Sequence, residues 1–344
     1  MPVDASEALL CWYAVDKRRL PWRAENGALA HPYRVWLSEV MLQQTTVGAV
    51  RPYFESFVKR WPTVEALAAA EDGDLMAAWA GLGYYARARN LLVCARAVAA
   101  EHEGRFPEDE AALRKLPGIG AYTAAAIAAI AFGRRAVVVD GNVERVVSRL
   151  HAVKEPLPAA RPKIHALVDA MTPDVGAGDF AQAMMDLGSA ICTPRNPDCG
   201  RCPLRAWCAA YAEGDPGIYP VKAPKAARPH REGVAYWLEQ GGEVLLVRRP
   251  ARGLLGGMLA FPETEPAPAA WQEAGAVDHV FTHFSLTMRL LCAETEQRLE
   301  IDGSWWPADQ IGEAGLPTLF AKLAARGLAW RDPERAGQDV EALL

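Results

Sequence analysis

At 344 residues the chain is long enough for two domains of about 150 each. Its 51% apolar content suffices for packed cores, and no run of about 18 apolar residues predicts a membrane span. A net charge of −5 speaks against a uniformly basic nucleic-acid binder, although residues 114–149 hold Arg114, Lys115, Arg134, Arg135, Arg145 and Arg149 against only Asp140 and Glu144.

The start, MPVDASEALLCWYAVDKRRLPW, has neither the basic and apolar regions nor the cleavage site of an export signal, so a cytoplasmic protein is expected. From residue 6 to about 210 apolar residues recur at helical spacing, as in 32–47 and 63–81, with breaks at Pro62, Gly73, Gly81, Pro107, Pro117 and Pro173. About ten helices and no sheet are predicted there. An Ala-rich helix over 121–132 follows the tight turn Leu116-Pro117-Gly118-Ile119-Gly120. Residues 214–230, rich in Pro, Gly and Lys, read as a linker. Beyond it come strand-like runs at 233–238, 243–248, 279–284 and 287–293, with helical stretches near 266–274 and 317–327. The boundaries are therefore a helical domain over 1–213, a linker over 214–230, a smaller α+β domain over 231–335 and a tail over 336–344.

The strongest chemical signal is Cys192-x6-Cys199-x2-Cys202-x5-Cys208. Four thiolates so close in sequence can close around one metal centre, and a [4Fe–4S] cubane needs four such corners. Zinc is the rival, but zinc ribbons usually pair two short Cys-x2-Cys hooks, and only one is present. Arg195, Arg201 and Arg205 lie beside these cysteines, where they would offset cluster charge or reach phosphates. Cys11, Cys94 and Cys292 read as thiols without a role. In the 116–120 turn, Gly118 and Gly120 let backbone N–H groups approach a phosphate, and the helix that follows adds a favourable dipole end.

Leu-Pro-Gly-Ile-Gly, then Val-Asp-Gly-Asn-Val-x-Arg-Val at 139–146, then the cysteine box together resemble the endonuclease III superfamily of helix-hairpin-helix, iron–sulfur base-excision glycosylases. Trp36–Thr45 (WLSEVMLQQT) and Gly81–Asn90 (GLGYYARARN) are similar to its adenine DNA glycosylase (MutY) branch, over about residues 8–330. The resemblance implies a mostly α N-terminal catalytic region, with the hairpin at about 114–132 and the cluster loop at 192–208. It also implies a smaller Nudix-like C-terminal domain that reads 8-oxoguanine. The expected reaction is release of adenine mispaired with 8-oxoguanine or guanine in double-stranded DNA, by a monomeric enzyme carrying [4Fe–4S].

The residues make chemical sense of that reaction. Breaking an N-glycosyl bond through an oxocarbenium-like sugar suits two carboxylates, one protonating the leaving group and one stabilising the cation. Glu39 lies among Val35, Trp36, Leu37, Val40, Met41 and Leu42, where desolvation would keep it protonated near neutral pH. Asp140 precedes a helix predicted to begin near Val143, and reads both as its N-cap and as the ionised stabiliser. Tyr122 stands where endonuclease III places the lysine that forms a Schiff base, so a monofunctional enzyme with little intrinsic lyase activity is expected.

An intrahelical base must be flipped out and the gap filled. Gln43, Gln44 and Thr45 at a helix end, and Leu82 and Tyr84 on a Gly-flanked loop, suit a wedge. Resemblance gives Gln44 and Tyr84 that role, Asn142 the orientation of Asp140, Trp22 and Arg23 the adenine-pocket wall, and Phe281, Thr282 and His283 the lesion-sensing loop. Gln182 holds a place that is Glu in some relatives, and Glu144 one that is often basic. Trp271–Gly275 stands near the place of a Glu-rich Mg²⁺-binding helix without supplying one, so pyrophosphatase activity is not expected. Two readings compete: a bifunctional pyrimidine-lesion glycosylase/lyase, disfavoured by Tyr122, and a non-catalytic iron–sulfur DNA sensor, disfavoured by the Glu39–Asp140 pair.

Overall fold

The computed structural model describes residues 4–24, 28–224, 228–250, 253–281, 283–296 and 299–332. The chain divides into two compact units, Met1–Pro224 and Lys225–Leu344.

The first unit is helical. In order its α-helices are α1 (Ala5–Asp16), α2 (Pro32–Leu42), α3 (Val47–Arg60), α4 (Val64–Ala68), α5 (Asp72–Trp79), α6 (Ala86–Glu101), α7 (Glu110–Leu113), α8 (Ala121–Phe132), α9 (Gly141–Leu150), α10 (Arg161–Met171), α11 (Ala177–Ala190) and α12 (Ala209–Ala212). Local chemistry sets many of the ends. Asp4, Thr46, Thr63, Asp109 and Asp140 accept hydrogen bonds from first-turn N–H groups, and Pro32 opens α2 where its missing N–H costs nothing. Left-handed Gly133 ends α8.

Two hydrophobic cores result. One gathers α2 to α8, including Trp36, Phe54, Phe57 and Trp79. The other gathers α1 and α9 to α11, including Tyr13, Val147, Phe180 and Leu187. Buried from Thr123 to Ala131, α8 packs on α2 and on α11. The approach to α11 is close enough that a Cβ on Gly178 would lie 2.4 Å from the Ala129 carbonyl oxygen. The Pro-rich stretch expected to be a free linker from 214 starts as part of this unit. Tyr219 is buried, and the Val221 carbonyl accepts from Leu157 N at 2.8 Å.

The second unit is a mixed sheet of β1 (His230–Gln240), β2 (Glu243–Arg248), β3 (Leu259–Ala260), β4 (Gln272–Val280), β5 (Ser285–Glu294) and β6 (Ser304–Pro307), with the helix α13 (Thr318–Arg331). Strand order is β3-β2-β1-β5-β4, with β6 on β2; β1 and β5 run parallel and the other pairs antiparallel. Trp237, Phe261, Phe320 and Leu323 fill the core. The helix expected near 266–274 is absent, and Gln272–Val280 is strand instead. Pro266 and Pro268 remove donors a helix would need, and left-handed Gly275 (φ 103°) sits at the bulge where β4 pairs with β5. The strand expected at 279–284 consequently ends at Val280, and Phe281 N bonds Phe284 O across the turn.

Candidate active site

Three helices converge at the seam between the two cores of the first unit. Glu39 projects from the middle of α2, whose residues Val35 to Met41 are all buried. Its Oε2 accepts a hydrogen bond from Tyr122 Oη at 2.7 Å, donated from the first turn of α8. The Glu39 carboxyl is pushed up to about 7, chiefly by burial; the Tyr122 hydrogen bond and Arg23 pull it down and Asp140 pushes it up. Burial and the neighbouring carboxylates push the Tyr122 hydroxyl well above its ordinary value, so it remains a hydrogen-bond donor.

Asp140 caps α9 from its N-terminus. Its Oδ1 accepts from Asn142 N (2.9 Å) and Val143 N (2.7 Å), and its Oδ2 from Asn142 Nδ2 (2.8 Å). Asn142 is held in turn by Arg145 Nη2 at 2.9 Å, and Arg145 also donates to the carbonyls of Gly188 and Cys192. A Cβ on Gly188 would lie 2.7 Å from that of Asn142, so α9 and α11 meet this closely only because the residue is glycine.

Beside Glu39 opens a cleft lined by Trp22, Arg23, Ser38, Leu42, Ile130 and Gln182 among others. Trp22 is buried edge-on against Phe54, with ring centroids 5.2 Å apart. Gln182 spends its amide N–H on the Gly178 carbonyl. Arg23 is forked onto Asp186, with N–O distances of 2.6 and 2.8 Å, and Arg18 engages the same carboxylate. Arg18 and Asp186 went unnoticed in the sequence. An acid inside the apolar run Ala183–Leu187 was the available signal.

The expected wedge residues separate. Gln43 caps α2, and Gln44 (φ 57°) and Thr45 follow in a tight turn. Tyr84 (φ 50°) is 54% exposed, but Leu82 is 6% exposed and belongs to the core. Leu82 packs into the core here, while Tyr84 stands out from it. Gly118 is left-handed (φ 75°) against the Asn90 Cβ, whereas Gly120 is extended with open space where a side chain would stand. Glu144 pairs with Arg161 at 2.8 Å. In the second unit Phe281 stacks near His279 and Phe284, and His283 is exposed; Thr282 lies outside the described residues.

Cys192, Cys199, Cys202 and Cys208 line one cleft with Arg149, Ile191 and Arg205. Burial raises the Cys199, Cys202 and Cys208 thiols, and the charge of the other cysteines adds to it, as for four ligands that face one another. Among the described residues no three of these side chains meet on a single ion. Four thiols lining one cleft, with a single short Cys-x2-Cys hook among them, suit a multi-atom cluster better than one zinc. Buried Arg149 lies beneath, donating to Cys192 Sγ (3.3 Å) and to the Thr193, Pro194 and Tyr219 carbonyls.

Residues 37–166 match the HhH-GPD superfamily base excision DNA repair protein family, residues 192–208 the iron–sulfur binding domain of endonuclease III, and residues 233–326 the NUDIX domain. The cofactor of the cysteine loop is accordingly a [4Fe–4S] cluster. Human adenine DNA glycosylase is 32% identical over 92% of this chain and 72% of its own length. The adenine DNA glycosylase of Buchnera aphidicola (Schizaphis graminum) is 30% identical over 92% and 97% respectively. That of Mycobacterium tuberculosis is 42% identical over 66% and 72%. Among solved structures, a thermostable thymine-DNA glycosylase superposes with a TM-score of 0.55 at 30% identity, covering 60% of this chain and 95% of that one. A trapped endonuclease III–DNA covalent intermediate gives 0.52 at 22% over 61% and 94%, a likeness of fold. On these matches and on the paired helical site and cysteine loop that accompany them, the chain belongs to the adenine DNA glycosylase family.

Proposed function

We propose that this chain, an adenine DNA glycosylase of base excision repair, removes adenine opposite 8-oxoguanine or guanine in duplex DNA and leaves the strand uncut. The observation that carries the reading is the desolvated Glu39 carboxyl, raised to about 7 and bonded to Tyr122. An acid of that strength is half protonated at neutral pH and able to donate to a purine nitrogen.

Adenine, extruded from the duplex, enters the cavity walled by Trp22, Arg23 and Gln182. Glu39 protonates it as the N-glycosyl bond lengthens, and Tyr122 holds the carboxyl in place. The Asp140 carboxylate, oriented by Asn142, faces the developing oxocarbenium ion; water then adds to C1′, releasing adenine and an abasic site. Gln44 and Tyr84 fill the vacated stack, Gly118 and Gly120 present N–H groups to a phosphate, and Phe281, Thr282 and His283 read the oxidised guanine. Cys192, Cys199, Cys202 and Cys208 hold the cluster, which supplies four iron–thiolate bonds that brace the loop bearing Arg195, Arg201 and Arg205. The enzyme works as a monomer in the compartment of the chromosome, and no described helix is long and apolar enough to cross a membrane.

Single-turnover assays on 8-oxoguanine:adenine and guanine:adenine duplexes test this. Adenine should be released, with strand breaks only after alkali and no borohydride-trapped protein–DNA adduct, since Tyr122 offers no amine. Spontaneous nicking or a trapped adduct would overturn the monofunctional reading. Cys199→Ser should lose iron and visible charge-transfer absorbance and melt at a lower temperature, whereas Cys11→Ser, at an exposed thiol, should keep all three. Full cluster absorbance in Cys199→Ser would remove that residue from the ligand set.

A further inference from the structure

Arg87 occupies the first turn of α6, where a cation opposes the helix dipole and gains nothing locally. Its guanidinium instead reaches across to two other segments. Nη1 donates to the carbonyls of Val40 (3.1 Å), Met41 (2.8 Å) and Gln43, which are among the unpaired acceptors at the end of α2. Nη2 donates to Thr45 Oγ1 (3.2 Å) and to the carbonyls of Leu82 (3.1 Å) and Gly83 (3.3 Å). The same group lies between two rings, 5.4 Å from the Trp79 centroid and 5.3 Å from that of Tyr84. Its Nε is left buried without a partner, so the planar fork is turned wholly toward these carbonyls.

The two segments so joined carry Gln44 and Tyr84, both non-glycine residues with left-handed backbone that must be held from outside. The second segment is tied down twice more, by Tyr53 Oη to the Ala80 carbonyl (2.7 Å) and by Trp79 Nε1 to that of Gly83 (3.0 Å). Those ties anchor the 80–83 loop to its own neighbours, whereas Arg87 spans from it to α2.

We infer that Arg87 is a positioning residue for base extrusion: it latches the Gln43–Thr45 turn to the 82–84 loop, so that both insert into the duplex as one rigid wedge. This rests on the wedge role proposed above for Gln44 and Tyr84. Without the latch each segment orders separately on the DNA, and extrusion slows although the acid and the pocket are intact.

The test is stopped-flow fluorescence of a duplex with 2-aminopurine beside an adenine opposite 8-oxoguanine, read in parallel with single-turnover adenine release. Arg87→Lys keeps the charge, but one ammonium cannot span six acceptors. Misplacement of the wedge by about 1 Å should slow both the fluorescence rise and release about 100-fold. Release should lose most of its pH dependence around the Glu39 midpoint, because extrusion and not proton donation then limits it, while cluster absorbance stays as in the wild type. Thr45→Val deletes only the hydroxyl acceptor; it should slow extrusion by a smaller factor and carries the test if Arg87→Lys does not fold. Wild-type extrusion in a folded variant, or slow release that still follows the wild-type pH profile, would overturn the latch. A wild-type enzyme that extrudes the base without releasing adenine would count against the functional reading alone.

Discussion

Glu39→Gln should lower single-turnover adenine release by about 1,000-fold while sparing duplex binding, because glutamine keeps the shape and loses the proton. The wild-type rate should be level below pH 7 and fall about tenfold per unit above it, as the raised carboxyl ionises. The variant's residual rate should be flat across that range. A second readout follows from the same burial. A carboxyl raised in the folded state from 4.5 to about 7 costs stability once the unfolded chain ionises. The substitution should thus be neutral below pH 4.5, become stabilising between 4.5 and 7, and level off above 7 at about 3 kcal/mol. Denaturant unfolding at pH 4 and pH 8 measures this difference. A variant releasing adenine at the wild-type rate, or one whose stability difference from the wild type is the same at both pH values, would remove Glu39 from its role.

Asp140→Asn should cost about 100- to 1,000-fold in the same assay, since the charge facing the sugar cation is lost. Asparagine caps helices as well as aspartate does, and its oxygen can keep the bonds from Asn142 N and Val143 N. Its new amide would meet the Asn142 amide, whose oxygen already serves Arg145, so one hydrogen bond is forfeited. That loss is about 1 kcal/mol of stability, too little to unfold the domain. The release assay and a melting curve together separate the two effects. A deficit in melting without one in rate would make Asp140 a cap and nothing more.

Much of the catalytic unit was legible along the chain because its signals are local. The helix over 121–132 follows a Pro-Gly turn and stops at Gly133, and Asp140 caps the helix whose start was expected a residue or two later. The apolar neighbours of Glu39 in sequence are also its neighbours in space, so its weakened acidity follows from the sequence alone. Asp186 could not be placed that way, because the arginines it pairs with lie 163 and 168 residues away. The same holds for Arg87, whose acceptors Val40 and Met41 on α2 lie 47 and 46 residues away. Leu82 shows a different gap: periodicity gives no facing for a loop residue, and this one turned inward. The region at 266–274 was misjudged because its Ala and Glu content favours helix, while two prolines and pairing with β5 decide otherwise.

Glu39 belongs to one hydrophobic core and Asp140 caps a helix of the other, with α8 and α11 in van der Waals contact between them. The gap between the proposed acid and its carboxylate partner is therefore an interlayer spacing, set by side chains buried in the two cores. Loss of a methyl group deep beneath either layer can then act as an enzymatic lesion in a protein that remains folded, so inherited or engineered defects in turnover need not map to the cleft at all.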